Sequence, residues 1–94
     1  MPALERVQAE QVIERALLEE WDPLGVRDEP GAHREYVRYA PELYSLLARG
    51  GSDVQVARYL CQIEHRDFGG PAPELPGRDV SAVVRTLRAI ERRI

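Results

Sequence analysis

Apolar side chains return at every third or fourth position through four separate stretches of this sequence, and no stretch shows the strict alternation of a half-buried strand. That spacing belongs to amphipathic helices, because successive helical positions turn by about 100°. The predicted class is all-α. With 94 residues the chain has room for one domain, and a chain of this size buries only about 60–70% of its unfolded surface. A single four-helix core must therefore absorb the stripes of all four segments.

The first helix is predicted over about 3–21, with Ala9, Val12, Ile13, Ala16, Leu17 and Trp21 on one side. Leu4, Val7 and Leu18 widen this stripe beyond what one small core covers, which makes a homodimer a candidate assembly. Asp22-Pro23 ends the helix, since the residue before a proline is pushed out of helical geometry. The connection 22–31 is longer than the usual link of roughly 2–8 residues between packed helices. Leu24 and Val26 are expected to fold back from it as an apolar plug beside Trp21, with Gly25 and Gly31 supplying turn geometry.

The second helix is predicted over about 32–49, and Tyr36, Tyr39, Ala40, Leu43, Leu46 and Leu47 keep one phase on both sides of Pro41. Proline removes a helical hydrogen bond and crowds the preceding turn, so a kink or a restart is expected there. Gly50-Gly51 closes the helix. Ser52 with Gln55 is a capping-box signature for a third helix over about 53–67, and Asp53 adds favourable charge at its start. The stretch from Gly69 to Gly77, with three prolines, reads as a connector. Asp79 is placed to cap a fourth helix over about 80–93, whose Val80, Val83, Val84, Leu87, Ile90 and Ile94 make the cleanest stripe in the chain. The expected core is Trp21, Leu43, Leu47, Leu60 and Ile63, closed by that last stripe.

Charge and composition remove several function classes. Thirteen basic residues against sixteen acidic ones leave a net charge of −3, which provides no general attraction to phosphate backbones or anionic lipid. The basic residues are all Arg, a bias that fits GC-rich bacterial coding. Cys61 stands alone, so neither a disulfide framework nor a cysteine-rich zinc site is expected. Charges interrupt the apolar residues of the N-terminal segment, where neither a signal peptide nor a membrane span is read. A cytoplasmic location is the expectation.

Glu64 falls inside the apolar side of the third helix, between the lines of Ala57 and Leu60. A carboxylate so placed needs a partner, and an arginine, backbone donors or the Trp21 indole N–H are the candidates. His33 and His65 have no metal-ligand spacing, and Asp22, Asp28 and Glu29 lack the pattern of a calcium loop. Ser45, Ser52 and Ser81 lie outside any nucleophile elbow, and Cys61 lies toward an apolar flank. Tyr36, Tyr39 and Tyr44 read as core tyrosines with hydroxyls reaching the edge. Arg85, Arg88 and Arg92 align on one strip of the fourth helix, suited to an acidic protein. No catalytic residue, metal or cofactor is expected.

The strings Trp21-Asp22-Pro23-Leu24-Gly25-Val26 and Glu35-Tyr36-Val37-Arg38-Tyr39-Ala40-Pro41-Glu42-Leu43-Tyr44, with Tyr59-Leu60, Ile63-Glu64 and Gly69, resemble small bacterial helical proteins of unknown function, the YugE-like group. The resemblance covers about residues 12–70 and is most specific in the Trp-Asp-Pro-Leu-Gly-Val string. It implies a helical fold and brings no activity, cofactor or catalytic residue. After Gly69 the chain departs from the group in its proline-rich connector.

The favoured function is a small cytoplasmic protein-interaction or regulatory module, of which an immunity-type antagonist is one form. Its contact zones would be the acidic loop with Asp28 and Glu29 and the strip of Arg85, Arg88 and Arg92. The rival is a small-ligand or enzymatic cleft near Trp21, Asp22, Tyr36 and Glu64. Nucleic-acid binding through the arginine strip is the third reading, disfavoured by the overall charge.

Overall fold

Among the described residues four α-helices, with one π turn and one 3-10 turn, account for the regular structure, as the spacing of apolar residues requires, and there is no strand. The computed structural model describes residues 3–26, 28–29, 35–70 and 79–94. His33, the predicted start of the second helix at 32–34, Gly31, and positions 71–77 of the connector lie outside them.

Helix α1 spans Arg6–Ala16 and continues into a π turn over Leu17–Trp21, so the stretch predicted as one helix over 3–21 starts later and changes pitch at its end. Gln8 caps the start by accepting the backbone N–H of Glu5 at 3.2 Å. Ahead of it, the Leu4 N–H donates to the Arg93 carbonyl at 2.6 Å, tying the start of the described chain to its end. A 3-10 turn at Val37–Tyr39 then leads into α2, Ala40–Ala48. Of the two outcomes expected at Pro41, the restart occurs: the proline stands in the first turn of α2, where its missing N–H has no helical partner to lose.

Gly50 and Gly51 end α2 in the paired bonds of a Schellman motif, Gly50 N–H to the Leu47 carbonyl at 3.1 Å and Gly51 N–H to the Leu46 carbonyl at 2.9 Å. Gly50 carries φ +80°, and a Cβ on Gly51 would lie 2.7 Å from a Leu46 methyl, so both positions require glycine for different reasons. Helix α3, Asp53–Phe68, opens on the predicted capping box: the Gln55 N–H donates to Ser52 Oγ at 3.2 Å, and the Ser52 N–H donates to Gln55 Oε1 at 2.7 Å. Helix α4, Ser81–Glu91, is shorter than the predicted 80–93. Asp79 acts one residue ahead of the N-cap, its Oδ1 accepting the Ser81 N–H at 2.9 Å.

Helix α4 packs on α1, α2 and α3 and on the π turn, which makes it the element that closes the core. Val83, Val84, Leu87 and Ile90 are buried along its stripe, facing Ile13, Leu17, Trp21, Leu43, Leu47, Val56, Leu60 and Ile63. The expected core residues are all buried. Of the apolar residues that widened the first stripe, Leu4 and Leu18 pack partly on the core while Val7 stays exposed. The expected plug is half realised: Val26 packs against the core and Leu24 is exposed.

Burying a leucine side chain stabilises the fold by about 1.5–3 kcal/mol, and deleting it adds a cavity term. Leu87→Ala is therefore expected to destabilise the protein by about 2–5 kcal/mol in urea unfolding. Val7→Ala should stay within about 0.5 kcal/mol of wild type. Similar losses at both positions would contradict this division between core and surface.

Candidate functional site

The polar positions singled out near the end of the first helix converge in space. The π turn carries Trp21, closed by the Asp22 N–H donating to the Leu17 carbonyl at 2.8 Å. Trp21 is buried, and its indole Nε1–H donates to Glu64 Oε1 at 2.8 Å, one of the partners anticipated for that carboxylate. Glu64 is 6% exposed. Its backbone carbonyl also closes the end of α3, accepting the N–H of Gly69 and, at 2.8 Å, that of Gly70.

Asp22 takes a left-handed conformation, φ +37°, outside the helical region as the following proline demands. Its Oδ1 accepts two donors that fold the loop over, the Val26 N–H at 2.9 Å and the Tyr36 hydroxyl at 2.7 Å. The same hydroxyl accepts the Leu24 N–H at 3.1 Å. Gly25 supplies a second positive φ, +67°. The Trp-Asp-Pro-Leu-Gly-Val string is thus a hydrogen-bonded turn latched to a buried tyrosine.

Rings surround the indole. Tyr36, Tyr39 and Phe68 stand 5.5, 6.3 and 6.0 Å from it between centroids, the last two edge-on. Tyr39, itself buried, ends this cage with its hydroxyl donating to Asp67 Oδ2 at 2.8 Å. Arg66 beside Asp67 holds that carboxyl below the ordinary range, helped by the tyrosine bond. Burial, reinforced by Asp67, raises the Tyr39 phenol to about 12. Cys61 is half-buried, and burial, then the charge of Glu64, push its thiol up, away from the thiolate a nucleophile needs.

Trp21, Asp22, Tyr36 and Glu64 do come together, as the cleft reading required, yet as an interior network. Among the described residues no buried side-chain nitrogen or oxygen lacks a hydrogen-bond partner. The clefts between α3 and α4, between α1 and α4, and beside the end of α2 are lined by other residues. Asp28 and Glu29 are exposed on the loop. Among the described residues no group of three or more His, Cys, Asp and Glu side chains could hold a metal ion. None of the described helices is long and apolar enough to cross a membrane.

The arginine strip borders a groove of about 710 Å³ between α3 and α4. Its apolar lining is Val54, Ala57, Val80 and Val84, and Val54 is 67% exposed. The three arginines of the strip differ in what they meet. Arg88 bridges the two helices, donating to Asp53 and to the Gly51 carbonyl while also pairing with Glu91. Arg85 and Arg92 are exposed and make no hydrogen bond or ion pair with a described residue. Val54, a β-branched apolar residue in the first turn of α3 and away from the core stripe, is a groove residue that the helical spacing does not single out.

Comparison with protein-family models, with curated proteins and with solved structures gives no match.

Removing the indole donor leaves a buried carboxylate one bond short, so Trp21→Phe should cost at least about 1–3 kcal/mol, with a double-mutant cycle against Glu64→Gln showing coupling. Strict additivity would dissolve the pair. Tyr39 predicts an alkaline effect. Its phenol is raised from 10.0 to about 12, so the native state keeps a proton that the unfolded chain releases in that window. The stability it contributes is full below about pH 10 and is lost as pH rises through about 12. The wild-type advantage over Tyr39→Phe in chemical denaturation should shrink across this interval; a pH-independent difference would contradict it.

Proposed function

We propose that this chain is a non-catalytic protein-interaction module that seats a segment of another protein in the groove between α3 and α4. The observation that carries this reading is the exposed Val54 over an apolar floor, bordered by two arginines that make no hydrogen bond or ion pair with a described residue. Exposed apolar surface rimmed by charge is the usual composition of a docking site. The polar network around Glu64 favours the same reading from the other side, because its groups are spent on holding the turn and the helix end together.

A regulatory or immunity-type role follows when the seated segment belongs to the working part of its owner. Cytoplasmic location and kinship with the YugE-like group belong to the same proposal. Of the two contact zones read from the sequence, the groove has apolar area as well as charge, whereas the loop with Asp28 and Glu29 has exposure alone in its favour.

Photo-crosslinking from inside the cell tests this. A benzophenone amino acid at Val54 is expected to form a discrete adduct with another protein, and the same group at the exposed Gln11 of α1 should not. No adduct from Val54, or the same adducts from both positions, would sink the proposal.

A further inference from the structure

We infer that the groove between α3 and α4 takes an amphipathic helix bearing carboxylates two turns apart, one for Arg85 and one for Arg92, with Arg88 serving as a strut of the groove. This rests on the docking role proposed above and names the chemistry of the occupant.

Charge complementarity decides the sign. Each carboxylate of the groove is already answered: Asp53 by Arg88, and Asp79 by the Ser81 residue at the start of α4, whose hydrogen bonds hold its carboxyl below the ordinary range. Arg88 is answered three times over, by Asp53, Glu91 and the Gly51 carbonyl. Two cations on the same wall are less committed: Arg92 makes no hydrogen bond or ion pair with a described residue, and Arg85 feels the charge of Asp79 without bonding to it. An occupant that completes this surface brings negative charge to those two places.

Geometry decides the form. Both walls are helices, whose backbone groups are bonded within themselves, so an extended peptide would find no strand edge to pair with. A helix satisfies its own backbone and packs side chains between the ridges of two others. Arg85 on α4 and Arg92, the residue that caps its end, are seven positions apart, about 10.5 Å along the axis at 1.5 Å per residue. Carboxylates at i and i+7 of a helix have the same separation, and apolar residues at i+3 and i+4 between them fall toward Val54, Ala57 and Val84.

The test uses three stapled helical peptides and the intact protein, read by fluorescence anisotropy. The first carries Glu at i and i+7 around two leucines, the second has the same composition with Glu at i and i+4, and the third has Gln for both Glu. The first should bind at least about fivefold more tightly than the others, and more weakly as salt rises. Arg85→Gln and Arg92→Gln should each weaken the first peptide about threefold and leave the third unchanged. Arg88→Gln should lower the melting temperature and weaken all three alike.

Equal binding of the three peptides, no binding of the first, or arginine losses as large for the third would overturn the inference. If Val54 nevertheless cross-links to a partner, the docking module stands and only the acidic helix falls; if Val54 gives no adduct, both fall. A dimer in light scattering that Val54→Arg dissociates would assign the groove to a second copy of this chain and overturn the inference as well.

Discussion

The hydrogen bond from the Trp21 indole to the Glu64 carboxylate is the contact on which the rest of this fold is arranged. A carboxylate among apolar side chains costs several kcal/mol unless donors meet it, so its place on α3 obliges the chain to bring a donor from elsewhere. Trp21 comes from the far end of α1, delivered by a π turn. Once the indole is seated, Tyr36, Tyr39 and Phe68 close round it, and these rings lie where α2 begins and α3 ends. One polar pair therefore sets the mutual position of three helices.

The loop after Trp21 follows from the same constraint. Pro23 forces Asp22 out of the helix, and the aspartate side chain then gathers the Val26 N–H and the Tyr36 hydroxyl. Tyr36 in turn anchors Leu24. The most distinctive string of the sequence takes part in this set of bonds, which secures Trp21 at the end of its helix. The polar residues near this aromatic wall hold a turn. What faces outward is different in kind. Helix α4 buries its valine, leucine and isoleucine stripe and offers Arg85 and Arg92 to a groove shared with α3.

Helix number, the apolar stripes, both caps of the α2–α3 junction and the main core residues were legible because each depends on neighbours a few positions away. Ser52 and Gln55 form their capping box from local geometry, as do Gly50 and Gly51 in ending α2. Pro41 signalled an interruption without saying whether the helix bends or begins, since that depends on whether the preceding residues hold an α or a 3-10 turn. The pitch change at Leu17 was hidden altogether, because a π turn leaves apolar spacing nearly intact over five residues. Of the candidate site, the need of Glu64 for a partner and the alignment of three arginines were readable. Which arginine was spoken for was not: Arg88 is answered by Asp53, thirty-five positions away.

The sequence alone determined that the chain builds four amphipathic helices and that one of them places a carboxylate against its apolar face, since both follow from the spacing of residue types along a helix. Tertiary structure decided which donor meets that carboxylate, which arginine becomes a brace and which two stay turned to solvent, and that Val54 rather than Leu18 remains uncovered. Those outcomes depend on distances between segments far apart in the chain, and these exist only after the helices have packed.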